Sequence, residues 1–411
     1  MKTPRHAASA APALVVAVQV TTAVLTAAIA GVAGAMAFVS LRVARRVVTP
    51  AARQADTVIL GLDTGAQTIT LSRTADTQLP GRYGLFTSGS ESYLKLGSVL
   101  AEDEKSVKRK LLTRIDHDTT LARDAAFSGW YFDSPEQLHV PFTSELIGAS
   151  VGPCPAWLFP AAPAADGADE NGTWVIQIHG RGTTRAECLR AVSLFRDLGI
   201  HSLLVSYRND GEAPRSRTGT YGLGATEWSD VDAAIAFARR RGAKRVVLMG
   251  WSMGGAIALQ LAMSSAHADV IAAIVLESPV VQWRVVLDHQ GSLLRLPRAV
   301  TDMAIGALAA DWATPVTRTG EPIPFDRLDV VARAAELRHP ILILHSDDDG
   351  FVPSDASYDL LVARPDLVTL QTFDTARHTK LWNYDQERWT RVIGSWLADR
   401  GLTRAAVAGE G

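Results

Sequence analysis

The chain has 411 residues, of which 47% are hydrophobic and 20% are charged, so it can bury a sizeable core and is not a disordered protein. Its 41 basic and 43 acidic residues give a formal net charge of −2, with no dense basic block. This balance excludes a dedicated nucleic-acid-binding protein, so we expect no nucleic-acid partner.

An uncharged, apolar stretch covers residues 7–41. A helix needs about 20 apolar residues to cross about 30 Å of hydrocarbon, and the run over residues 13–41 is longer than the roughly 7 to 15 residues of a signal-peptide core. The sequence therefore predicts an uncleaved, single-pass membrane anchor. The small residues Ala35 and Ala37 around Met36 leave a cleaved signal open, and a buried helix is the third alternative.

Basic residues flank this run on both sides. Lys2 and Arg5 precede it with the terminal amine, and the residues that follow it are Arg42, Arg45, Arg46 and Arg53. Because basic residues collect on the cytoplasmic side of a membrane helix, the small excess after the run favours a cytoplasmic catalytic part. A catalytic part on the opposite side of the membrane is the alternative. Residues 1–54 are predicted to form a tail, a membrane segment and a basic stop.

Short β-type runs follow the basic stop, separated by Gly, Pro, Asp and Ser. They cover residues 58–62, 67–71, 83–86, 93–100 and 107–115. These runs contain no set of residues typical of a catalytic or metal-binding site. We therefore predict that residues 55–141 form a β-rich accessory region that packs against the site or shapes it.

From about residue 142 the pattern changes to strands that alternate with helices. The predicted strands cover residues 174–178, 202–207, 245–250, 270–277, 340–345 and 368–373. Apolar residues three and four apart over residues 227–241 indicate the crossover helix that parallel strands require. We expect a mostly parallel α/β sheet flanked by helices over residues 142–402, followed by a C-terminal tail over residues 403–411.

Residues 279–337 interrupt this alternation. They contain three short amphipathic segments, at residues 283–287, 293–296 and 304–312. We predict a small helical cap over the C-terminal edge of the sheet.

The strongest local signal is a serine in a glycine-rich turn, Gly250-Trp251-Ser252-Met253-Gly254-Gly255. The turn follows a predicted strand and precedes a helical run over residues 256–263. A serine between a strand and a helix adopts a strained backbone and projects its hydroxyl above the sheet, and the glycines are needed because side chains there would collide. Ser252 is therefore the predicted nucleophile.

A serine hydroxyl is a poor nucleophile near neutral pH, so a histidine must accept its proton and an acid must fix the tautomer of that histidine. His378, in the loop after the last predicted strand, is the candidate base. Asp349, in the loop after the strand at residues 340–345, is the candidate acid, and Asp347 and Asp348 in the same loop are alternatives. His179 and His345 are interpreted as residues that order loops at strand ends.

An oxyanion site needs two backbone N–H groups aimed at the oxygen on which charge develops. Met253, beside the nucleophile, is expected to supply one of them. Arg181, in the sharp turn His179-Gly180-Arg181-Gly182, is expected to supply the other. The Arg181 side chain is left with two alternatives, contact with substrate or exposure to solvent.

These four motifs, which centre on Arg181, Ser252, Asp349 and His378, occur in the order that resembles the α/β-hydrolase superfamily. The resemblance covers about residues 142–402 and implies the α/β-hydrolase fold. The plan is also similar to bacterial membrane-linked hydrolases of the dienelactone hydrolase and prolyl-oligopeptidase-like sort. Two positions depart from the pattern: Ser346 replaces a glycine that is usual in the acid loop, and Asn209-Asp210 replaces the Gly-aromatic-Gly run of lipase-like relatives.

The expected function is a serine hydrolase that cleaves carboxylic ester or thioester bonds through an acyl-enzyme intermediate. A small-molecule or lipid-like acyl substrate is expected, and the anchor would suit an amphipathic one. The alternatives are an inactive, membrane-tethered binding module, a cofactor-free peroxidase or lyase, and a peptidase with the same triad. The oligomeric state stays open.

No metal or organic cofactor is expected, since protein groups supply the nucleophile, the base and the electrostatic stabilisation. The two cysteines, Cys154 and Cys188, form no close metal-ligand pair in the sequence. We expect two packed thiols, and a disulfide between them stays open.

Overall fold

The computed structural model describes residues 11–50, 53–87, 93–163 and 172–404. These residues form a long N-terminal helix, a closed six-stranded barrel and an eight-stranded mixed sheet flanked by helices. The predicted fold class, with its apolar helix and its β-rich N-terminal region, is confirmed.

The N-terminal helix α1 (Ala11–Val48) contains the predicted apolar segment and continues through the basic residues that follow it. Its part Val18–Val48 is long and apolar enough to cross a membrane, with a mean hydropathy of 2.1 over 18 residues, of which 6% are buried. The last turns differ, because Ala44 and Val48 are fully buried against the body of the protein. Lys2 and Arg5, the basic residues before the apolar segment, lie outside the described residues.

The β-rich region is a closed antiparallel barrel in which the strands neighbour one another in the order β1-β2-β5-β4-β3-β6. Its strands are β1 (Thr57–Asp63), β2 (Thr68–Ser72), β3 (Tyr83–Thr87), β4 (Tyr93–Glu102), β5 (Ser106–Leu111) and β6 (Asp124–Ser128). The sequence predicted the first five and missed β6, which closes the barrel against β1 and β3. Alternate residues such as Leu71, Leu85 and Phe127 fill the interior.

The large sheet has the order β14-β13-β12-β11-β9-β10-β8-β7. Its strands are β7 (Thr143–Ala149), β8 (Gly152–Phe159), β9 (Thr173–Ile178), β10 (His201–Val205), β11 (Arg245–Trp251), β12 (Ile271–Glu277), β13 (Ile341–Ser346) and β14 (Val368–Phe373). The six strands from β9 to β14 are the predicted ones, and each pairs in parallel with its neighbours among them. The hairpin of β7 and β8, which the sequence did not predict, adds two antiparallel strands at the edge.

Helices cover both faces of this sheet, and the strands are therefore continuous apolar runs rather than alternating ones. The helices are α2 (Leu189–Asp197), α3 (Trp228–Arg240), α4 (Met253–Ser264), α5 (Trp283–Leu293), α6 (Arg298–Ala309), α7 (Thr314–Thr317), α8 (Phe325–Leu328), α9 (Asp355–Ala363), α10 (Leu381–Tyr384) and α11 (Gln386–Ala398). Leu248 and Ile274 pack in one core layer, whereas Val247 and Val275 pack in the layer on the opposite face.

The four helices from α5 to α8 lie between β12 and β13, where the cap was predicted. One detail of that prediction is wrong, because residues 294–297 connect α5 to α6 and do not form a helix of their own. Helix α6 packs against both α5 and α1. The cap therefore bridges the N-terminal helix and the sheet.

Candidate active site

Ser252 lies in the turn between β11 and α4, with φ 50° and ψ −117°. A Cβ atom at Gly250 would lie 2.4 Å from the main-chain oxygen of Gly254, and one at Gly254 would lie 2.1 Å from that of Ile178. Neither gap can hold a side chain, since both neighbours are backbone. The two glycines thus let the strand and the helix meet closely enough to raise Ser252 above the sheet edge.

The structure brings the three predicted side chains together. The Nε2 atom of His378 lies 3.0 Å from the Ser252 hydroxyl, and its Nδ1 atom lies 2.7 Å from Oδ2 of Asp349. A carboxylate only accepts hydrogen bonds, so Nδ1 carries the proton and Nε2 is left to accept from the serine. This is the geometry that a serine nucleophile and its general base require.

The Asp349 carboxylate is buried and held on both oxygens. Its Oδ1 accepts from the backbone N–H groups of Phe351 and Val352, at 2.8 and 2.9 Å. Burial alone would raise the pKa of Asp349, but the charge and hydrogen bond of His378, together with His345, outweigh it and hold the pKa well below its ordinary value. Asp349 therefore stays ionised and orients His378.

The two alternative acids have other partners. Asp347 accepts from the hydroxyls of Ser354 and Tyr358, at the surface. Asp348 accepts from Ser346 and from the backbone N–H of Arg377. In the structure Asp349 is thus the member of the three that contacts His378.

The two candidate oxyanion donors flank Ser252. Met253 is the first residue of α4, where a backbone N–H has no partner within the helix. The turn after β9 lies against Ser252, because a Cβ atom at Gly180 would be 3.4 Å from the serine Cβ. The Gly180 N–H donates to Glu187 at 2.9 Å, which leaves the neighbouring N–H of Arg181 as the candidate donor.

The Arg181 side chain makes a contact that the sequence did not predict. Its guanidinium donates to the main-chain oxygens of Arg46 and Thr49, at 2.6 and 3.0 Å. Arg46 lies in the last turn of α1, whose carbonyls have no partner within the helix, and Thr49 follows directly after it. The side chain therefore joins the candidate oxyanion turn to the N-terminal helix.

His179 and His345 are buried and order loops. His179 binds Asp210 through Nε2 at 3.2 Å and stacks on Tyr207, with ring centroids 4.3 Å apart. His345 contacts the Ser357 hydroxyl through Nδ1 and the Val352 carbonyl through Nε2. The Asn209-Asp210 departure in the sequence thus supplies the carboxylate that fixes His179.

Sequence reasoning missed a buried ionic network behind the site. Arg190 donates to the main-chain oxygen of Thr379, next to His378, and to that of Gly129 after β6. Glu277 accepts from the indole N–H groups of Trp251 and Trp389, at 3.0 and 2.8 Å. The network connects the barrel, the histidine loop and the nucleophile strand, and no local motif marks it.

Ser252 lines a cavity of about 1050 Å³ between the cap, the sheet edge and the end of α1. Its cap-side wall is apolar and includes Val280, Trp283, Leu287 and Ile305. Arg53 also lines the cavity, a position that the sequence did not predict. The cavity is at the upper end of the roughly 300–1000 Å³ typical of small-molecule sites.

Cys154 and Cys188 are separate, buried thiols, so the disulfide that the sequence left open is not formed. Within the described ranges, no group of three or more His, Cys, Asp or Glu side chains is arranged to hold a metal ion.

Several solved structures resemble the chain, all at low identity. An esterase from Pyrococcus furiosus is 17% identical, with a TM-score of 0.50, over 65% of this chain and 94% of that one. A monoacylglycerol lipase from Paleococcus ferrophilus is 18% identical, with a TM-score of 0.43, over 60% of this chain and 99% of that one. A puromycin-hydrolyzing peptidase from Mycobacterium tuberculosis is 18% identical, with a TM-score of 0.47, over 82% of this chain and 46% of that one.

Family models match two parts of the chain, whereas no curated protein matches it. A domain of unknown function matches residues 58–128, which form most of the barrel. The model of the alpha/beta hydrolase family matches residues 175–392, more than half of the chain, including Ser252, Asp349 and His378. The chain therefore belongs to the alpha/beta hydrolase family.

Proposed function

We propose that the protein hydrolyses carboxylic esters, or thioesters by the same chemistry, with Ser252 as nucleophile, His378 as base and Asp349 as orienting acid. The observation that carries this proposal is the continuous chain of hydrogen bonds from Asp349 through His378 to Ser252, at 2.7 and 3.0 Å. Such a series of hydrogen bonds lets the histidine take the proton of the serine while the serine attacks an acyl carbon.

In the first half-reaction Ser252 Oγ attacks the acyl carbon while His378 Nε2 takes its proton. The negative charge that develops on the acyl oxygen is stabilised by the N–H groups of Met253 and Arg181. The leaving alcohol or thiol receives the proton from His378. An acyl group remains on Ser252.

In the second half-reaction a water molecule attacks the acyl-enzyme while His378 takes a proton from that water. The acid product leaves, and the proton returns to Ser252. Asp349 accepts from Nδ1–H throughout and stabilises the imidazolium that forms twice in the cycle. The protein groups supply every proton transfer in this scheme.

We propose that residues 142–402 form the catalytic unit, with the cap over residues 279–337, and that the barrel within residues 55–141 supports it. The contact between the barrel and the histidine loop supports this division. The Asn383 side chain donates to the main-chain oxygen of Arg82, and Lys380 lies 3.2 Å from Asp76. A barrel so placed would hold the loop that carries His378.

We further propose that α1 anchors the chain in a membrane in a single pass, with the catalytic unit on the cytoplasmic side. The exposed apolar side chains of α1 and the arginines that follow them support this arrangement. A reporter fused after Gly411 should then be active in the cytoplasm. An extracytoplasmic reporter would contradict the orientation, and a mature chain that begins at Phe38 would contradict the anchor.

Hydrolysis of a p-nitrophenyl ester series tests the proposed reaction. We expect Ser252→Ala to lower kcat by roughly 10⁴-fold or more, because the residual rate of a triad mutant comes from binding and the oxyanion site alone. Ser264→Ala, at the exposed end of the same helix, is the matched control and should keep full activity. Equal rates for the wild type and Ser252→Ala would contradict the proposal, and a folded wild type without turnover would favour the binding module.

A further inference from the structure

One face of α1 forms a wall of the cavity that contains Ser252. The residues of this face are Phe38, Val39, Arg42, Val43, Arg46 and Val47, which we call the α1 stripe. They recur in pairs four residues apart, and side chains at that spacing lie on one side of a helix. The stripe therefore runs along the helix axis toward the nucleophile.

The stripe begins in the part of α1 that is exposed. Ile29 is 62% exposed, Val32 is 61% exposed and Phe38 is 59% exposed, although all three are large and apolar. Such a surface is stable in the hydrocarbon of a bilayer and costly in water. A lipid chain beside α1 can thus reach the cavity along the apolar side chains of Val39, Val43 and Val47.

The end of α1 is fixed to the catalytic unit, so this wall is a built part of the site. Arg45 Nε donates to the main-chain oxygen of Val316 in the cap, at 2.6 Å. Arg181 holds the opposite side through Arg46 and Thr49. The stripe, the cap and the oxyanion turn consequently enclose one cavity.

The charged residues that line the cavity are all basic. Four arginines line it, Arg42, Arg46, Arg53 and Arg181, and among the described lining residues there is no Asp or Glu. The remaining lining is mostly apolar. An anionic group bound here would be attracted by these four arginines, whereas a cationic ligand would be repelled by them.

Arg53 is held in place by the barrel. Its guanidinium lies 3.4 Å from the ring centroid of Phe86 and 4.5 Å from that of Trp130. Burial lowers the pKa of Arg53 to about 10, which keeps it protonated at neutral pH. Its guanidinium donates no hydrogen bond to any described residue, so its donors stay available for a ligand that enters the cavity.

Building on the proposed ester hydrolysis, we propose that the substrate is a long-chain acyl ester of the membrane that carries an anionic phosphate headgroup. The acyl chain occupies the apolar part of the cavity along Val39, Val43 and Val47 of the α1 stripe, and Arg53 binds the phosphate with Arg42 and Arg46. Water cleaves the bond between the acyl carbon and the ester oxygen, so that a fatty acid and a phosphate-bearing alcohol leave. The volume of about 1050 Å³ is more than a short ester needs.

Rates on two micellar lipids with the same chain test the headgroup assignment. The full-length protein is assayed in dodecyl maltoside micelles with palmitoyl lysophosphatidylglycerol or with neutral monopalmitoylglycerol, and fatty-acid release is measured. We expect the wild type to prefer the anionic lipid in kcat/KM by about tenfold or more, because only the anionic lipid accepts charged hydrogen bonds from these arginines. Vesicles of phosphatidylglycerol and phosphatidylcholine, assayed separately, test release from a bilayer.

Substitutions of Arg53 separate its charge from its packing. Arg53→Gln should lower the ratio of anionic to neutral kcat/KM by about tenfold, and Arg53→Lys should retain most of that ratio. Arg73→Gln is the matched control, since Arg73 lies on the barrel outside the cavity and binds Gln78 and Glu102. It should leave the ratio unchanged.

A second pair of variants tests the α1 stripe. Val39→Trp narrows the cavity from the helix side and should move the optimum of a p-nitrophenyl ester series toward shorter chains. Ile29→Trp, on α1 outside the cavity lining, should leave the optimum unchanged.

The outcomes distinguish this inference from the proposed function. A wild type that cleaves p-nitrophenyl butyrate but cleaves both lipids equally would overturn the headgroup assignment and leave ester hydrolysis standing. An unchanged ratio of anionic to neutral kcat/KM in Arg53→Gln would overturn the role of Arg53 in binding the phosphate. An unchanged chain-length optimum in Val39→Trp would overturn the role of Val39 in binding the acyl chain. Either result would leave ester hydrolysis standing. A wild type that cleaves no ester at all would overturn the proposed function, and the inference with it.

Discussion

The guanidinium of Arg181 donates a hydrogen bond of 2.6 Å to the main-chain oxygen of Arg46. The cation lies at the C-terminal end of α1, where the helix dipole favours positive charge. The backbone of the same residue provides a candidate oxyanion N–H. One residue thus connects the candidate membrane helix to the proposed catalytic centre.

Arg181→Ala keeps the backbone N–H and removes this connection. We expect the substitution to lower the free energy of unfolding by about 0.5–1.5 kcal/mol, because two main-chain oxygens at the end of α1 lose a charged donor. It should also lower kcat/KM on p-nitrophenyl esters, since the turn loses its support. Thermal unfolding and kinetics in detergent measure both effects, with Arg73→Ala as control, and a variant equal to the wild type in both would contradict the role of this side chain.

The three aspartates of the acid loop give a direct test of the assignment of the acid. Asp349→Asn should lower kcat by roughly 10⁴-fold, because an amide in that position favours the wrong tautomer of His378. Asp347→Asn and Asp348→Asn should retain activity within about tenfold, since neither contacts His378. A larger loss in either of these two than in Asp349→Asn would move the assignment to that residue.

The low pKa of Asp349 also predicts how stability depends on pH. Its pKa in the folded protein lies below the ordinary value of 3.8, so the unfolded chain binds the proton more tightly. The contribution of this carboxylate to stability is therefore fully present above about pH 4 and is lost as the pH falls below that value.

Melting temperatures of the wild type and Asp349→Asn, measured in detergent from about pH 7 down to about pH 3, should show this dependence. The difference between the two proteins should shrink as the pH falls. A difference that stays constant or grows toward low pH would show that the carboxylate does not carry this stability.

Two glycines in helices give a matched test of the elbow. Gly254→Ala should lower the free energy of unfolding by about 3 kcal/mol and abolish esterase activity, because the new methyl group would lie 2.1 Å from the rigid Ile178 carbonyl. Gly306→Ala in α6 meets no atom within 4 Å and should stabilise the protein by about 0.5–1 kcal/mol. An active, stable Gly254→Ala variant would contradict the close approach at the elbow.

The parallel core of the sheet could be predicted from the sequence because its strands are apolar on both faces. The strands that the prediction missed lack this signal. In β8, Pro153 and Pro155 argue against a strand, because a proline has no N–H to donate to a neighbouring strand. The structure tolerates them because β10 pairs with β8 only from Ala156 onward, so the two prolines pair with β7 alone. In β6 the pairing with β1 and β3 is set by closure of the barrel, which no local pattern encodes.

The candidate triad could be predicted because each residue lies in a local motif at a strand end. The supporting contacts could not, because they join distant parts of the chain. Ser346, a departure from the family pattern, accepts from the backbone N–H groups of Ala376 and Arg377 at 2.9 and 3.1 Å, which a glycine could not do. The position of Arg53 against Phe86 and Trp130 likewise depends on the folded barrel.

Labelling with a fluorophosphonate probe tests the central claim most directly, because the probe reacts only with a serine that a base has activated. The adduct on the intact full-length protein is mapped by mass spectrometry after digestion. We predict one adduct, on the peptide that contains Ser252, and its loss in Ser252→Ala and in His378→Ala while Ser264→Ala is labelled like the wild type. A folded wild type that is not labelled, or an adduct on another serine, would contradict the account.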